Sequence, residues 1–514
     1  MKSNDVKNAT LGLIILTFVS KVLGFVREIA ISYMYGASAM SDAYSMANSI
    51  AVLVVTGLAM GVMTAYIPES MLITEQNKKN EFTSNLINFM LVVFGLISIF
   101  CILFVKPIVA VLGSGFSDKT KTYTEILLRF VLLASICIFI IYIISGFLNI
   151  HNNFYYNGVQ LIITNSIIII AVIFSEENPV KLGIGYLTAY IVPLILGAFL
   201  MKYYKFSYIK KLDLKDKHLK NVCAVSIIAF LGTNVVKLNV MLDRVFASSL
   251  QEGAVAAINY AFTLTSIVPE VFALSMITVL YPELSELFVK NEFKLFGKKV
   301  TKLLAQTTII LIPVMVIFLA EGDWIVRFLF ERGAFDENAT DLTVQVLRGY
   351  SIGMLPIGIS FILCKVFFAR KEEMIPTICF GISIVLNFLF DAVTAGQTLI
   401  ELTSFTTISI AVATIAMFII LVKKQAISEV GRMANTFFKS IFSGVVMAVL
   451  IGIMRKYCMY VFLKNGTMIR FLVLAAVTLV AGLAYLLIMF ILREETLLNE
   501  VDRIKIKFTK QVKR

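Results

Sequence analysis

Apolar stretches of bilayer-crossing length, about 20 residues each, follow one another along the whole chain and are parted by short polar clusters. Reading each window out to its bounding polar cluster places spans near 10–32, 40–68, 82–112, 123–149, 154–175 and 181–203. Eight more fall near 221–249, 254–284, 299–320, 341–369, 374–395, 400–422, 433–462 and 468–492. No polar stretch between them exceeds roughly 20 residues, too few for a separate domain of about 50 or more. The pattern predicts an all-α polytopic membrane protein of about fourteen transmembrane helices, without a soluble catalytic or receptor domain. The longest loop, 321–341, contains the semi-apolar run WIVRFLFERGAF and reads as a short re-entrant or interfacial helix.

The polar clusters alternate in charge, which sets an expected orientation. Lys202, Lys205, Lys210, Lys211, Lys215, Lys217 and Lys220 follow the sixth span, and Lys290, Lys294, Lys298, Lys299 and Lys302 follow the eighth. Lys78 and Lys79, Arg370 and Lys371, Lys423 and Lys424, and a tail with Arg503, Lys505, Lys507, Lys510, Lys513 and Arg514 also follow even-numbered spans. Loops after odd spans are nearly free of basic residues. By the positive-inside bias both termini are expected in the cytoplasm.

Composition sharpens the exclusions. Of 514 residues, 59% are hydrophobic and 15% charged, against roughly 45–50% and 25% in soluble domains; the mean hydropathy is +0.88. The net charge of +13 lies mainly in alternate loops, which argues against nucleic acid. The six cysteines show no CxxC or paired spacing, so neither disulfides nor zinc are expected. His151 and His218 lie in short polar loops without a second ligand nearby and read as solvated loop residues. No phosphate-binding Walker A loop is present. The start, MKSNDVKNAT, lacks a following cleavage site and reads as the approach to a first transmembrane helix.

An internal repeat organises the spans. KVLGFVREIAISYMYGASAMSDAYSMANSI around span 1 resembles KLNVMLDRVFASSLQEGAVAAINYAFTLTSI around span 7. Each begins at an intramembrane lysine (Lys21, Lys237) and passes a charged pair (Arg27 and Glu28; Asp243 and Arg244). Each then reaches a glycine turn (Gly36, Gly253), a tyrosine (Tyr44, Tyr260) and a Pro-Glu after the next helix (Pro68 and Glu69; Pro282 and Glu283). The expected organisation is an N-lobe at 1–220, a C-lobe at 221–424, and two extra helices with a basic tail at 425–514. The lobes would be two pseudo-symmetric six-helix bundles, a transporter arrangement with substrate between the halves.

Ionisable groups inside apolar spans are costly and mark function by default. Lys21 and Glu28 share a helical face, Arg27 lies at its edge, and Asp42 opens span 2. Such a face suits a phosphate or other anion, with arginine as planar fork and lysine as point charge; the alternative is that Arg27 and Glu28 snorkel at the interface. Span 7 carries Lys237, Asp243 and Arg244, and span 11 carries Asn387 and Asp391 on one face. Asp243, Asn387 and Asp391, with Thr403 and Thr407, make an oxygen set suited to sodium. The alternative pairs Asp243 with Lys237 or Arg244 and leaves Asp391 at the membrane surface.

In SKVLGFVREIAISYMYGAS, SDAY and AYIPES the chain resembles the MurJ/MviN family, lipid II flippases of the multidrug/oligosaccharidyl-lipid/polysaccharide exporter superfamily. The likeness continues through LDRVFASSLQEGAVAAINYA, TVLYPELS, FLFERGAFDENAT and FFARKEEMIPT. It implies two six-helix lobes around a central cavity, two further helices forming a lipid-tail groove, and alternating access. Matched position by position, the family's first-span cavity arginines fall on Lys21 and Arg27 and its second-span aspartate on Asp42. Its sodium ligands fall on Asp243, Asn387, Asp391 and Thr407. The chain departs where the family's eighth-span arginine and nearby glutamate fall on Thr263 and Ser266, and where VLVVTGLAMG replaces an Arg and a Glu-Gly. Lys237 is placed to supply part of the missing positive charge.

The function implied is that of a flippase, not an enzyme, in a bacterial cytoplasmic membrane. It would move an undecaprenyl-diphosphate-linked peptidoglycan precursor to the outer leaflet for cell-wall synthesis. Sodium is the implied coupling ion, no other cofactor is expected, and membrane lipids and cell-wall synthesis proteins are the implied partners. Spans 13 and 14 favour a lipid-linked substrate over drug efflux, while the missing charges keep another lipid-linked oligosaccharide, for a capsule or surface polymer, as the alternative.

Overall fold

A computed structural model describes residues 3–51, 55–394 and 398–499, with most side chains from Leu16 onward. Every regular element among them is helical. The first ten are α1 (Ser3–Tyr35), α2 (Ala39–Ile50), α3 (Thr56–Leu72), α4 (Gln76–Leu103), α5 (Val105–Leu112), α6 (Asp118–Ile150), α7 (Tyr155–Phe174), α8 (Pro179–Tyr203), α9 (Lys217–Thr233) and α10 (Val235–Ala247). They are followed by α11 (Ala254–Pro269), a π-helical turn (Glu270–Leu274), α12 (Ser275–Val289), α13 (Phe293–Leu329), α14 (Glu337–Ala369), α15 (Met374–Thr394), α16 (Leu399–Lys423), α17 (Val430–Lys464) and α18 (Thr467–Ile491). The basic tail expected at 503–514 and residues 395–397 lie outside the described residues.

Among the described residues, eleven helices are long and apolar enough to cross a bilayer, Ala254–Val289 counting as one of them. Outside that set stand α1, the expected second span and the expected seventh. The second is described as α2 and α3, with residues 52–54 between them outside the described residues, and the seventh is divided into α9 and α10 at Asn234. The expected third span is also broken, at Phe104, and Pro107, which has no N–H to donate, occupies the first turn of α5. The loop expected at 321–341 differs from its reading. Instead of a separate interfacial helix, α13 continues through Trp324 to Leu329, because Trp324, Val326 and Phe330 are buried and extend the core-facing stripe.

Packing divides the chain into two compact units, 1–259 with 332–339 and 260–331 with 340–514. This packing boundary does not coincide with the repeat boundary near 220, because α9 lies along α3 and joins the first unit. In the second unit α13 packs on α17 and α17 on α18, around a core that includes Ile312, Trp324, Met447, Phe462 and Tyr485.

The first unit is tied together by turns at one end. Gly36 and Gly253, the paired turns of the repeat, both have positive φ, +57° and +88°. A Cβ on Gly36 would lie 2.2 Å from the Ala334 carbonyl oxygen, so only glycine meets both the backbone and the space requirement there. The helix starts beyond these turns cap one another. Asp42, in the first turn of α2, accepts from the amides of Gly253 (2.6 Å) and Ala256 (2.8 Å) at the start of α11. Glu252, just before α11, accepts from the Ala39 amide at the start of α2 (3.0 Å). Each carboxylate satisfies otherwise orphaned donors at the positive end of the other helix.

The α3–α9 contact is close. Gly61 lies against Ser226, where a Cβ would come within 2.7 Å of the carbonyl oxygen, and Gly57 lies against Phe230 and Asn234. At the end of this seam His218 Nδ1 is 2.6 Å from Glu69 Oε2, and Asn221 donates to the other oxygen at 3.2 Å. His218 is therefore a helix–helix contact rather than the solvated loop residue expected. His151 stands in the turn after α6, as expected, with its Nδ1 2.9 Å from the Phe147 carbonyl.

Asp42→Asn keeps one acceptor oxygen for two buried amides, so one amide loses its partner. The expected loss of stability is about 1–3 kcal/mol, read as a lower unfolding midpoint in detergent. An unchanged midpoint would show that the mutual capping does not hold α2 and α11.

Candidate functional site

Five helices of the first unit contribute to one chain of polar groups. About two and a half turns before the Gly36 corner, α1 presents Arg27 and Glu28. Arg27 Nη2 and Nε donate to Glu28 Oε1 at 2.7 and 3.2 Å, and Nη1 donates to Asn165 Oδ1 on α7 at 3.1 Å. Asn165 is itself oriented by donating to the Ser20 carbonyl at 3.4 Å. On the other side, Glu28 Oε2 accepts from Asn259 on α11 at 2.7 Å. Asn259 Oδ1 accepts from Arg244 Nη2 on α10 at 2.9 Å, and Arg244 Nη1 donates to Ser49 on α2.

Burial explains the length of the chain. Glu28, Asn165, Arg244 and Asn259 are all buried, and an uncompensated charge in such a place is heavily disfavoured. Arg27 neutralises Glu28, and the two asparagines carry the remaining hydrogen bonds outward to α7 and α10. The snorkelling alternative for Glu28 is therefore excluded. Arg27 differs from its neighbour in keeping 19% of its side chain exposed. Glu28 and Asn165 hold it in one orientation through three of its five N–H donors, which leaves two for an oxyanion.

An aromatic group adjoins the chain on α2 and α8. The Tyr186 hydroxyl donates to Asn48 Oδ1 at 3.0 Å, and its ring meets Tyr44 edge-on at 6.5 Å and Tyr190 at 5.3 Å.

The other expected residues are distributed as follows. Lys21 is exposed on α1, and Lys237 is half-buried on α10. Asp42 belongs to the capped junction described above, with both carboxylate oxygens engaged by amides. Asp243 is fully buried beside Arg244 in the first unit. In the second unit Asn387 and Asp391 are fully buried, one turn apart on α15, Asp391 lying in its last turn. Asn387 Oδ1 accepts from the Thr406 hydroxyl at 3.1 Å, whereas Thr407 donates to the Gly349 carbonyl at 2.9 Å and Thr403 to the Leu399 carbonyl at 2.8 Å. A buried carboxylate, an amide oxygen and nearby hydroxyls are the hard-oxygen set that sodium prefers.

Two departures from the family pattern have structural counterparts. Ser266 donates to the carbonyl of Thr263 at 3.4 Å, so a local hydrogen bond stands where a charge pair would be. The run replacing Arg and Glu-Gly in span 2 contributes Gly57 and Gly61 to the α3–α9 seam. Sequence reasoning missed Asn165, Asn259, Ser49 and Tyr186. For Asn165 a signal existed, since it is an amide within the strongly apolar run LIITNSIIII.

A family model described as lipid II flippase MurJ matches residues 31–472. A probable lipid II flippase MurJ of Buchnera aphidicola subsp. Baizongia pistaciae is 26% identical over 390 residues, covering 72% of this chain and 74% of the relative. The lipid II flippase MurJ of Burkholderia cenocepacia is 26% identical over 408 residues, covering 73% and 76%. Among solved structures, a lipid II flippase MurJ in an inward closed conformation matches with a TM-score of 0.76 at 23% identity, over 91% of this chain and 97% of its own. An inward-facing multidrug resistance MATE family transporter of the MOP superfamily matches with a TM-score of 0.66 at 14% identity, over 80% and 98%. At these identities the structural likeness is one of fold.

The Arg27–Glu28 pair generates a double-mutant test. Glu28→Ala leaves Arg27 without its counter-charge and is expected to cost about 3–5 kcal/mol, read in the unfolding midpoint. Arg27→Ala combined with Glu28→Ala is expected to recover part of that loss, giving non-additive effects. Strict additivity would show that the two charges do not interact.

Proposed function

The chain belongs to the lipid II flippase MurJ family, and from that membership we propose that it carries undecaprenyl-diphosphate-linked peptidoglycan precursor across the membrane by alternating access. The observation that supports this most directly is Arg27. Its guanidinium is held by Glu28 and Asn165 through three of its five N–H donors, so it is preorganised to offer the two that remain to the doubly charged diphosphate. Lys21, exposed on the same helix, and Lys237 on α10 are proposed as further positive charges for the head group. Asp42 contributes through the α2–α11 junction, which fixes the ends of the helices carrying Ser49 and Asn259.

The membrane is the bacterial cytoplasmic membrane in this reading. Both termini face the cytoplasm, on the strength of the lysine-rich loops after even-numbered spans. Cell-wall synthesis proteins are the expected consumers of the delivered precursor. Sodium is proposed as the coupling ion, with Asn387, Asp391, Thr407 and Asp243 as the candidate oxygen donors. A cation that neutralises a buried carboxylate can bias a transporter between its two open states only by binding one of them better.

Function is tested by depleting the resident flippase in a conditional strain and expressing this chain. Restored growth is expected. Failure at normal membrane expression would overturn lipid II as substrate and favour another lipid-linked oligosaccharide, consistent with Thr263 and Ser266 standing where the family carries charge. In the same assay Arg27→Ala is expected to abolish rescue and, by leaving Glu28 uncompensated, to lower the unfolding midpoint, whereas Arg27→Lys keeps the charge and the fold and is expected to retain only part of the rescue, because the planar fork is lost. Full rescue by Arg27→Ala would remove Arg27 from the grip.

Sodium is tested by melting the purified protein in sodium and in choline at equal ionic strength. A higher midpoint in sodium is expected for the wild type, since a ligand of the folded state stabilises by mass action, and Asp391→Asn is expected to lose that increment. Equal midpoints for the wild type would eliminate the ion site.

A further inference from the structure

The segment joining α8 to α9, residues 204–216, is not a loose loop. One face of α4, formed by Glu81, Ser84, Asn85 and Asn88 at helical spacing, holds it along its length. Ser84 Oγ accepts from the Ile209 amide at 3.0 Å. Asn85 accepts from the Asp213 amide at 2.7 Å and donates to the Asp213 carbonyl at 3.0 Å. Asn88 donates to the Lys211 carbonyl at 2.8 Å and accepts from the Tyr208 hydroxyl at 2.6 Å. Lys211 is turned inward to Glu81, and that contact holds its pKa above the ordinary lysine value.

With the inward groups taken up in this way, the outward surface is mixed in a particular manner. Lys205, Lys210, Lys215, Lys217 and Lys220 are exposed, and among the described residues none of them forms an ion pair. Between them Tyr208, Leu212 and Leu214 are 57%, 49% and 59% exposed. The segment starts where the bilayer-crossing helix α8 ends, at Tyr203, so it sits at the level of the membrane surface. Exposed leucines interleaved with lysines are unfavourable against water. At a lipid boundary, however, the apolar side chains enter the acyl region and the ammonium groups reach the phosphates.

We propose that residues 204–220 form a preorganised docking surface for anionic phospholipid head groups of the adjacent leaflet. A surface for nucleic acid would not need the leucines. A protein partner would have to displace the lipid that the two flanking spans already bring alongside. Because α4 fixes the backbone, the lysines are presented without the ordering cost that a flexible polybasic loop would incur. The anionic leaflet in turn holds the ends of α4 and α9 in place.

The test uses the full chain in nanodiscs of phosphatidylcholine alone and of phosphatidylcholine with about 30% phosphatidylglycerol, a composition that gives a negative surface. Backbone hydrogen exchange of 204–220 and the unfolding midpoint are followed in each. Phosphatidylglycerol is expected to slow exchange in this segment by about fivefold and to raise the midpoint, with both effects shrinking at high salt as the charges are screened. A variant with Lys205→Gln, Lys210→Gln and Lys215→Gln is expected to match the wild type in phosphatidylcholine and to lose the response to phosphatidylglycerol. Should that variant fold poorly, the wild-type exchange data in the two lipids still decide. No change in wild-type exchange, an equal response in the variant, or equal protection by soluble glycerol phosphate in neutral discs would each overturn the proposal.

Discussion

The arrangement of the first unit depends on one electrostatic constraint: a glutamate on α1 is sealed within an apolar bundle. Glu28 cannot stay ionised there without an adjacent cation and enough donors to replace water. Arg27 provides the first, and Asn259 joins it in providing the second. Once those partners are required, α1, α7, α10, α11 and α2 must meet within hydrogen-bond reach, and the positions of Asn165, Arg244 and Ser49 follow. The polar chain is thus a scaffold as well as a candidate site, and Arg27 is its one member with a partly exposed side chain among those named.

The same economy governs the helix ends. Backbone amides at the start of α2 and α11 have no partners within their own helices, and the turns at Gly36 and Gly253 bring an acid to each of them. The repeat supplies both glycines, but the two acids, Asp42 and Glu252, are not equivalent residues within it. Pseudo-symmetry in the sequence therefore ends in complementary rather than identical contacts. The α3–α9 seam adds a third solution, in which small residues let two helices approach and a carboxylate–imidazole contact closes one end.

The fold was legible in the sequence wherever hydropathy alone decides: the helical class, the long spans α4, α6, α8 and α13 to α18, and the positive-φ turns at Gly36 and Gly253. Hydropathy could not show the interruptions at Asn234 and Phe104, because an apolar run continues across them. Nor could it show that α13 extends past 320, since charged Glu321, Asp323 and Arg327 mask a buried stripe that carries Trp324. Within the site, Arg27 and Glu28 were visible as charges out of place. Asn165 stands out only as an amide within an apolar run and Asn259 carries no comparable mark, and which amide faces which charge is settled only by packing. Asp42 was visible, but its role was not, as its partners are backbone amides more than 200 residues away that any residue except proline could supply.

The chain contains one tryptophan. Trp324 is buried in the second unit, its ring stacked 4.3 Å from Phe462 and the Arg455 guanidinium 4.9 Å from its centroid. All tryptophan emission of the protein therefore originates at one point along the α13–α17 contact, in a setting that combines a dry aromatic face with a cation. Its emission wavelength and accessibility to quenchers become an intrinsic optical readout of that helix contact, free of contributions from the rest of the molecule and available without any label.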